Sequence, residues 1–151
     1  MMKNPIDWLD RIVGLSPDLA IFHAESNNAA QNLPQIFRHL EKFNIKSGLA
    51  LLPETNPLDY VGLIKRADTI LIFGGHLGYQ GGVADLGMLE KVKSIKDINL
   101  SSEISWDGGA NESNVSEIAA SGVDVINVGS AISNASDPEL AYERIRNIIR
   151  S

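Results

Sequence analysis

The sequence contains no cysteine, which excludes disulfide bonds and metal sites built on thiolates. A chain without cysteine is typical of an intracellular protein, so we predict a cytoplasmic location. Long apolar runs are missing as well. The longest, around residues 70–73, is far too short to span a bilayer. The first twelve residues, MMKNPIDWLDRI, are amphipathic and carry acidic side chains, which is not the pattern of a signal peptide.

Basic residues are also scarce. The chain has 13 lysines and arginines against 19 aspartates and glutamates, with a formal net charge of -6 and a pI near 5.0. Nucleic acids and anionic membranes are bound through basic surfaces, so neither is expected as a partner. A phosphorylated small molecule is compatible with this charge, because backbone N–H groups can hold a phosphate locally.

The chain does have the composition of a folded protein. Its 151 residues, 44% of them hydrophobic, predict one globular domain over residues 1–151. Five short apolar runs stand out, and most lack polar alternation, as in strands buried on both faces of a parallel sheet. We predict strands at residues 19–22, 49–52, 69–73, 103–106 and 125–128.

The segments between these strands carry helix signals. A capping side chain precedes a proline at residues 4–5, 56–57 and 137–138, and Gly122 is placed to end a helix over 115–121. Alternating strands and helices predict an α/β fold with a parallel sheet and covering helices. Two architectures fit this pattern. An open doubly wound sheet suits the length, whereas a (β/α)8 barrel usually needs about 250 residues, so this chain would be part of one.

Glycine-bearing loops follow the last three predicted strands, at residues 76–82, 107–111 and 128–131. Glycine lets the backbone approach a ligand and turn N–H groups toward it, which suits phosphate beside a helix N-terminus. Asn111 or Ser113 is placed to cap the helix after the second loop. Each loop alone is better explained as a tight turn. Together they favour the barrel, which commonly holds phosphate in the loops after its last strands.

Taken in order, these segments resemble the ribulose-phosphate 3-epimerase family. FHAES at 22–26, GLALLPET at 48–55 and HLGYQGG at 76–82 are similar to its fourth, fifth and sixth strand regions. DGGAN at 107–111 and GVDVINVGSAI at 122–132 resemble its last two strands. The resemblance covers nearly the whole chain. It implies a partial (β/α)8 TIM barrel of the ribulose-phosphate-binding type, with about five parallel strands and covering helices.

The resemblance also implies roles for single residues. Asp107 matches the family's strand-seven aspartate, which binds the metal and acts as one of two acid/base carboxylates. The matches to the phosphate-binding loops are Gly78, Gly81, Gly108, Gly109, Gly129 and Ser130.

The implied reaction interconverts ribulose 5-phosphate and xylulose 5-phosphate, so the implied partner is a pentulose 5-phosphate. One carboxylate removes the proton beside the ketone, and the other returns a proton on the opposite face. A divalent metal (Zn, Fe, Mn or Co) steadies the enediolate between the two steps.

The sequence departs from the family in two places. The family's first three strands supply a serine, a His-x-Asp pair and a further histidine, but no His-x-Asp occurs here. The opening MMKNP reads like the segment after the third strand, so we expect Met1 to match an internal methionine. On this interpretation either the gene is truncated or the remaining strands serve another purpose. The first glycine loop also differs, with Gln80 in place of a glycine and Gly82 in place of a glutamine.

Two histidines are further candidates for the pocket. His23 and His76 each end or follow a predicted strand, and with Asp107 they are suitable ligand types for zinc. Spacing alone does not indicate that these three residues converge. His39 falls within a predicted helix and is interpreted as a surface or capping residue.

Other polar residues are interpreted as structural. Glu25 and Glu54 follow strands and are expected to be solvated charges at the rim. Asp124 precedes the last strand, at the end opposite the site, and Trp106 is expected to pack outward against the helices.

Three functional hypotheses follow. The first is an isomerase of the epimerase family, with Asp107 as acid/base, although the second aspartate and most metal ligands have no counterpart in this chain. The second is a non-catalytic module that binds a sugar phosphate. The third, a thiamine-phosphate or indole-glycerol-phosphate synthase, lacks its expected motifs. Because five strands leave two sheet edges open, we also expect self-association or pairing with another chain.

Overall fold

The computed structural model describes residues 2–75, 78 and 81–150, which form five strands, seven α-helices and three 3-10 helices. The strands are β1 (Leu19–His23), β2 (Lys46–Leu51), β3 (Thr69–Phe73), β4 (Glu103–Asp107) and β5 (Val125–Asn127). The α-helices are α1 (Leu9–Gly14), α2 (Ala29–Glu41), α3 (Val61–Ile64), α4 (Glu90–Ile98), α5 (Val115–Ala120), α6 (Ser130–Ser133) and α7 (Pro138–Arg150). The 3-10 helices are Pro5–Trp8, Pro57–Tyr60 and Leu86–Leu89.

The order of the strands decides between the two predicted architectures. The sheet runs β1-β2-β3-β4-β5, and every neighbouring pair is parallel. A doubly wound sheet reverses its strand order at a switch point, whereas a barrel wall keeps the order of the chain. The five strands are therefore part of a (β/α) barrel wall, and within the described residues β1 and β5 are its edges.

The two faces of the sheet differ in burial. Phe22 and Ile104 lie on the helix side, where the Phe22 ring packs 6.4 Å from the ring of Phe37 in α2. Their neighbours along each strand lie on the opposite, inner face. There Ile21 of β1 and Val125 of β5 are 39% and 38% exposed. The prediction of strands buried on both faces is therefore wrong for the edge strands, since no further strand covers their inner face here.

Helix starts largely follow the sequence signals. Asn56 accepts a hydrogen bond from the N–H of Leu58 at 3.0 Å, and Asp137 accepts one from Leu140 at 3.0 Å. Asn4 precedes Pro5–Trp8 but forms no such cap. In the described part of the chain, no helix is long and apolar enough to cross a membrane.

Aspartates join the strands at their amino ends. The Asp124 carboxylate accepts hydrogen bonds from the N–H of Ile104 at 2.8 Å and from Lys96 Nζ at 3.0 Å. Asp68 accepts the N–H of Ser47 in the same way, at 2.8 Å. Asp124 thus has the structural role predicted for it, away from the carboxyl ends where the candidate site lies.

Candidate functional site

Asp107 is the last residue of β4 and lies on the inner face at the carboxyl end of the sheet. It is half-buried. Burial raises the pKa of its carboxyl group, and a hydrogen bond from the backbone of Gly108 only partly opposes this. A carboxylate that burial has made more basic is suited to accept and return a proton.

Trp106 holds the backbone just after this carboxylate. Its indole is fully buried on the helix side, as predicted, and its Nε1–H donates to the carbonyl of Gly108 at 2.9 Å. The same ring fills the space beside Gly74, where an added Cβ would lie 2.0 Å from it. The ends of β3 and β4 are therefore fixed around one aromatic side chain.

The two glycines that follow Asp107 are required by close backbone contacts. Gly108 and Gly109 both have positive φ, 120° and 66°. A Cβ on Gly108 would lie 2.4 Å from the nitrogen of Gly75, and one on Gly109 would lie 2.3 Å from the nitrogen of Ala84. Real side chains do not approach so closely, so the loops after β3 and β4 meet through backbone alone.

The three glycine-bearing loops converge on one cavity of about 310 Å³, which we call the glycine pocket. It is lined by Gly81, Gly82, Gly109, Ala110, Asn111, Ser130, Ala131 and Asn134. The loops come from the carboxyl ends of β3, β4 and β5. A Cβ on Gly81 would lie 3.8 Å from the hydroxyl of Ser130, which measures how closely the first and third loops approach.

Only some of the residues predicted to bind phosphate line this pocket. Gly81, Gly109 and Ser130 line it, whereas Gly108 and Gly129 directly precede residues that do. Gly78 is not among the lining residues. Their role in holding phosphate stays a prediction.

Asparagines order the second loop, but not as the sequence suggested. Asn114, rather than Asn111 or Ser113, occupies the N-cap position of α5. The side-chain amides of Asn111 and Asn114 each donate to the carbonyl of Gly109 at 3.0 Å. The Oδ1 of Asn111 accepts the N–H of Ser113 at 2.9 Å. The helix begins at Val115, as predicted, so Asn111 lies too far before it to be its N-cap and anchors the glycine turn instead.

A second polar group lies at the carboxyl ends of β1 and β2. Glu25 Oε1 accepts hydrogen bonds from the N–H of Leu52, at 2.9 Å, and from the hydroxyl of Thr55. Its Oε2 lies 3.3 Å from His23 Nδ1. The interpretation of Glu25 as a merely solvated charge is therefore wrong, since its side chain, 24% exposed, ties two strand ends together. Glu54 is exposed, as expected for a rim charge.

These contacts keep Glu25 ionised. Burial alone would raise the pKa of its carboxyl group, but hydrogen bonds from His23, Leu52 and Thr55 prevail and lower it to about 2. An ionised carboxylate only accepts hydrogen bonds, so each of these partners must act as a donor.

Lys91 of α4 completes this group from the other side. Its Nζ donates to the carbonyls of Leu52 and Pro53 at 2.6 and 2.8 Å. Burial lowers the pKa of the Lys91 amine, while nearby carboxylates, Glu25 first among them, oppose the shift. We call Glu25, Leu52, Thr55 and Lys91 the clamp. Sequence analysis missed it because Lys91 lies 38 and 39 residues from its acceptors.

The two described histidines, His23 and His39, lie on different elements. His23 ends β1 on the inner face, with its side chain 19% exposed. His39 lies in the last turn of α2, with its ring 5.2 Å from that of Phe43. His76 lies outside the described residues.

The side chains that the structure describes do not fit a metal centre. Among residues 2–75, 78 and 81–150, no three His, Asp or Glu side chains are grouped closely enough to hold a metal ion. The family resemblance implies a divalent metal, but the described ligands do not provide a site for it.

Two larger cavities lie at the other end of the sheet. Their volumes are about 510 and 470 Å³, and both are lined by Lys46, Arg66 and Asp68 near the amino ends of β2 and β3. Active sites of parallel α/β folds lie at the carboxyl ends of the strands. The smaller glycine pocket is therefore the better candidate, despite its size.

Comparison with known sequences identifies the family. A model of the "Ribulose-phosphate 3 epimerase family" matches residues 1–133. The ribulose-phosphate 3-epimerase of Helicobacter pylori is 29% identical over 156 residues, covering the whole chain and 70% of that protein. The enzyme of that name from Buchnera aphidicola is 28% identical, covering the whole chain and 67% of that protein.

Solved structures support the fold. The 3-hexulose-6-phosphate synthase of Salmonella typhimurium matches 99% of this chain, and 70% of its own, with a TM-score of 0.76 and 17% identity. KGPDC from Streptococcus mutans matches 91% of this chain, and 66% of its own, with a TM-score of 0.68 and 12% identity. These proteins share the TIM-barrel architecture, of which the five strands described here are a part.

Proposed function

Because this chain belongs to the ribulose-phosphate 3 epimerase family, we propose that it binds a pentulose 5-phosphate and takes part in its epimerisation. The observation that carries the proposal is the meeting of three loops at the glycine pocket, one of which continues directly from Asp107. The pocket is assigned to the phosphate group and Asp107 to the reacting end of the sugar.

Asp107 is proposed as one proton-transfer group. Its carboxylate takes the proton from the carbon beside the ketone, and the bonding electrons form the enediolate. A proton taken from water on the opposite face then inverts that carbon, and the proton held by Asp107 passes back to solvent. Burial raises the pKa of Asp107, which brings it closer to neutral pH than the pKa of a solvated aspartate. A general base is most effective when its pKa lies near the working pH, so the shift favours this transfer.

A coupled assay converting ribulose 5-phosphate to xylulose 5-phosphate, with and without added divalent metal, tests this proposal. Asp107→Asn should lower turnover by about 10²- to 10⁴-fold, the usual worth of an acid/base group. Asp97→Asn, on an exposed residue of α4, is the matched control and should leave turnover unchanged. Equal loss in both variants, or none at Asp107, would contradict the assignment.

A second candidate function is a non-catalytic module that binds a sugar phosphate. It is favoured by the lack of a grouped set of metal-ligating side chains among the described residues. No turnover in either condition, together with protection against thermal unfolding by ribulose 5-phosphate, would support this alternative. If ribulose 5-phosphate is not turned over and does not protect the chain against thermal unfolding, both functions are refuted.

We also propose that β1 or β5 pairs with another chain. Each has one strand neighbour among the described residues, and Ile21 and Val125 expose apolar surface beside those edges. Light scattering during gel filtration should give a mass above that of the monomer, 16.4 kDa. A monomer at concentrations of tens of micromolar would contradict the association.

A further inference from the structure

His23 and Glu25 lie two residues apart at the end of β1, and their side chains meet. Glu25 Oε2 lies 3.3 Å from His23 Nδ1, while Oε1 is held by the N–H of Leu52 and the hydroxyl of Thr55. Since Leu52 and Thr55 belong to the loop after β2, the carboxylate is fixed from a second strand. Its free oxygen is thereby directed at the imidazole.

The chemistry of this contact determines the histidine tautomer. The Glu25 carboxylate is ionised and accepts hydrogen bonds only, so the contact is a hydrogen bond only when Nδ1 carries the hydrogen. In a neutral imidazole the other nitrogen, Nε2, then carries the lone pair and acts as an acceptor. A neighbouring carboxylate commonly fixes a histidine in this way.

The position of the ring indicates what this acceptor faces. His23 alternates with Phe22, which is buried against α2, so His23 lies on the inner face of the sheet. Asp107 lies on the same face, at the carboxyl end of β4, three strands away. Both side chains therefore lie on the inner face at the carboxyl end of the sheet, the end at which the proposed function places the sugar.

We propose that Glu25 is a positioning residue that holds His23 in the Nδ1–H tautomer, so that His23 Nε2 accepts a hydrogen bond from a hydroxyl group of the bound sugar phosphate. The inference rests on the proposed function for the identity of the ligand. It adds a sugar contact on β1, opposite the glycine pocket, where the sequence offered only a candidate histidine.

The tautomer is measured without any ligand. At about pH 9, where histidine is ordinarily neutral, ¹⁵N-edited NMR of the imidazole should show Nδ1 protonated and Nε2 bare. His39 is the internal reference, because no hydrogen bond from its ring to a carboxylate occurs among the described residues. A hydrogen on Nε2 of His23 would overturn the proposal.

Glu25→Gln sharpens the measurement. The glutamine oxygen still accepts from Leu52 and Thr55, but its NH₂ group faces His23 Nδ1 as a donor. The hydrogen of the imidazole should therefore move to Nε2. Glu54→Gln, on an exposed residue of the next loop, is the matched control and should leave the tautomer unchanged. No change in Glu25→Gln would contradict the positioning role.

Binding is measured with ribitol 5-phosphate, which cannot be epimerised, and with inorganic phosphate. His23→Phe and Glu25→Gln should each weaken the binding of ribitol 5-phosphate about fivefold, which corresponds to the loss of one hydrogen bond. His23→Gln, whose amide oxygen can accept at nearly the same place, should restore most of the affinity. Inorganic phosphate should bind all variants equally.

The two ligands separate the possible failures. If inorganic phosphate binds but His23→Phe leaves the affinity for ribitol 5-phosphate unchanged, the inference is overturned and the proposed function stands. If neither ligand binds the unmodified chain at millimolar concentration, the proposed function fails and the sugar contact fails with it. His23→Phe leaves the clamp intact, so loss of folding in Glu25→Gln would not remove the test.

Discussion

Two regions at the carboxyl end of the same sheet are ordered in opposite ways. The clamp at β1 and β2 is held by long side chains, with Glu25 and Lys91 bonding backbone groups from either side. The glycine pocket at β3 to β5 is held by backbone in close contact, as at Gly108 and Gly109. Removing atoms should therefore damage the clamp, whereas adding atoms should damage the pocket. The following substitutions test that contrast.

The largest effect is expected from a side chain at Gly109. Gly109→Val places a β-branched residue at positive φ and drives its Cβ into the backbone of Ala84. The strain and the clash together should lower the free energy of unfolding by about 3–5 kcal/mol. Urea denaturation of the variant and the unmodified chain measures this loss.

Gly129→Ala is the control for this prediction. Gly129 has φ of -105°, and no atom lies within 4 Å of an added Cβ. The free energy of unfolding of this variant should stay within about 0.5 kcal/mol of that of the unmodified chain. Equal losses at both glycines would contradict a pocket built on close backbone contact.

A smaller loss is expected when Glu25 is removed. Glu25→Ala leaves the Leu52 N–H and the Thr55 hydroxyl without their acceptor, and should cost about 1–3 kcal/mol near neutral pH. Because folding lowers the pKa of Glu25 from its ordinary value of 4.5 to about 2, the carboxylate stabilises the fold above pH 4.5. This contribution is lost as the pH falls toward about 2. Unfolding curves of both proteins should converge over that interval, and a constant difference would contradict the ionic origin of the effect.

Lys91→Met should cost less, about 1–2 kcal/mol, since the methionine keeps most of the apolar stem. Glu25 and Lys91 hold opposite sides of Leu52, so their effects should not add. A double-mutant cycle should give a coupling of at least about 0.5 kcal/mol. Additive losses would show that the clamp is two separate contacts.

The smallest effect should have the opposite sign. Burial raises the pKa of Asp107, so its ionised form opposes folding. Asp107→Asn should therefore make the fold slightly more stable at neutral pH, while it abolishes the proposed proton transfer. The gain should disappear below pH 3.8, the ordinary pKa of aspartate, because the carboxyl group is then protonated in both states. A variant that is less stable at pH 7 would contradict this electrostatic account.

The sequence predicted the pocket better than the clamp. Asp107, Gly108 and Gly109 are adjacent in the chain, and their residue types alone indicate a strand end followed by a tight backbone turn. The role of Glu25 depends on partners 27 and 30 residues away, and nothing in its own neighbourhood distinguishes it from the exposed Glu54. The cap prediction for Asn111 was wrong although α5 begins where predicted, because Asn114 occupies the N-cap position.

The sequence by itself determined the five strands, the order of the glycine-bearing loops and the aspartate that ends β4. Those features depend on local burial and local backbone conformation, which residue types reveal directly. Only the tertiary structure decided that the strands keep their chain order, that Gly81 approaches Ser130, and that the loop after β2 holds Glu25 beside His23. Hydrogen bonds and backbone contacts between distant segments depend on how the strands pair and twist. The type of a single residue does not reveal that arrangement.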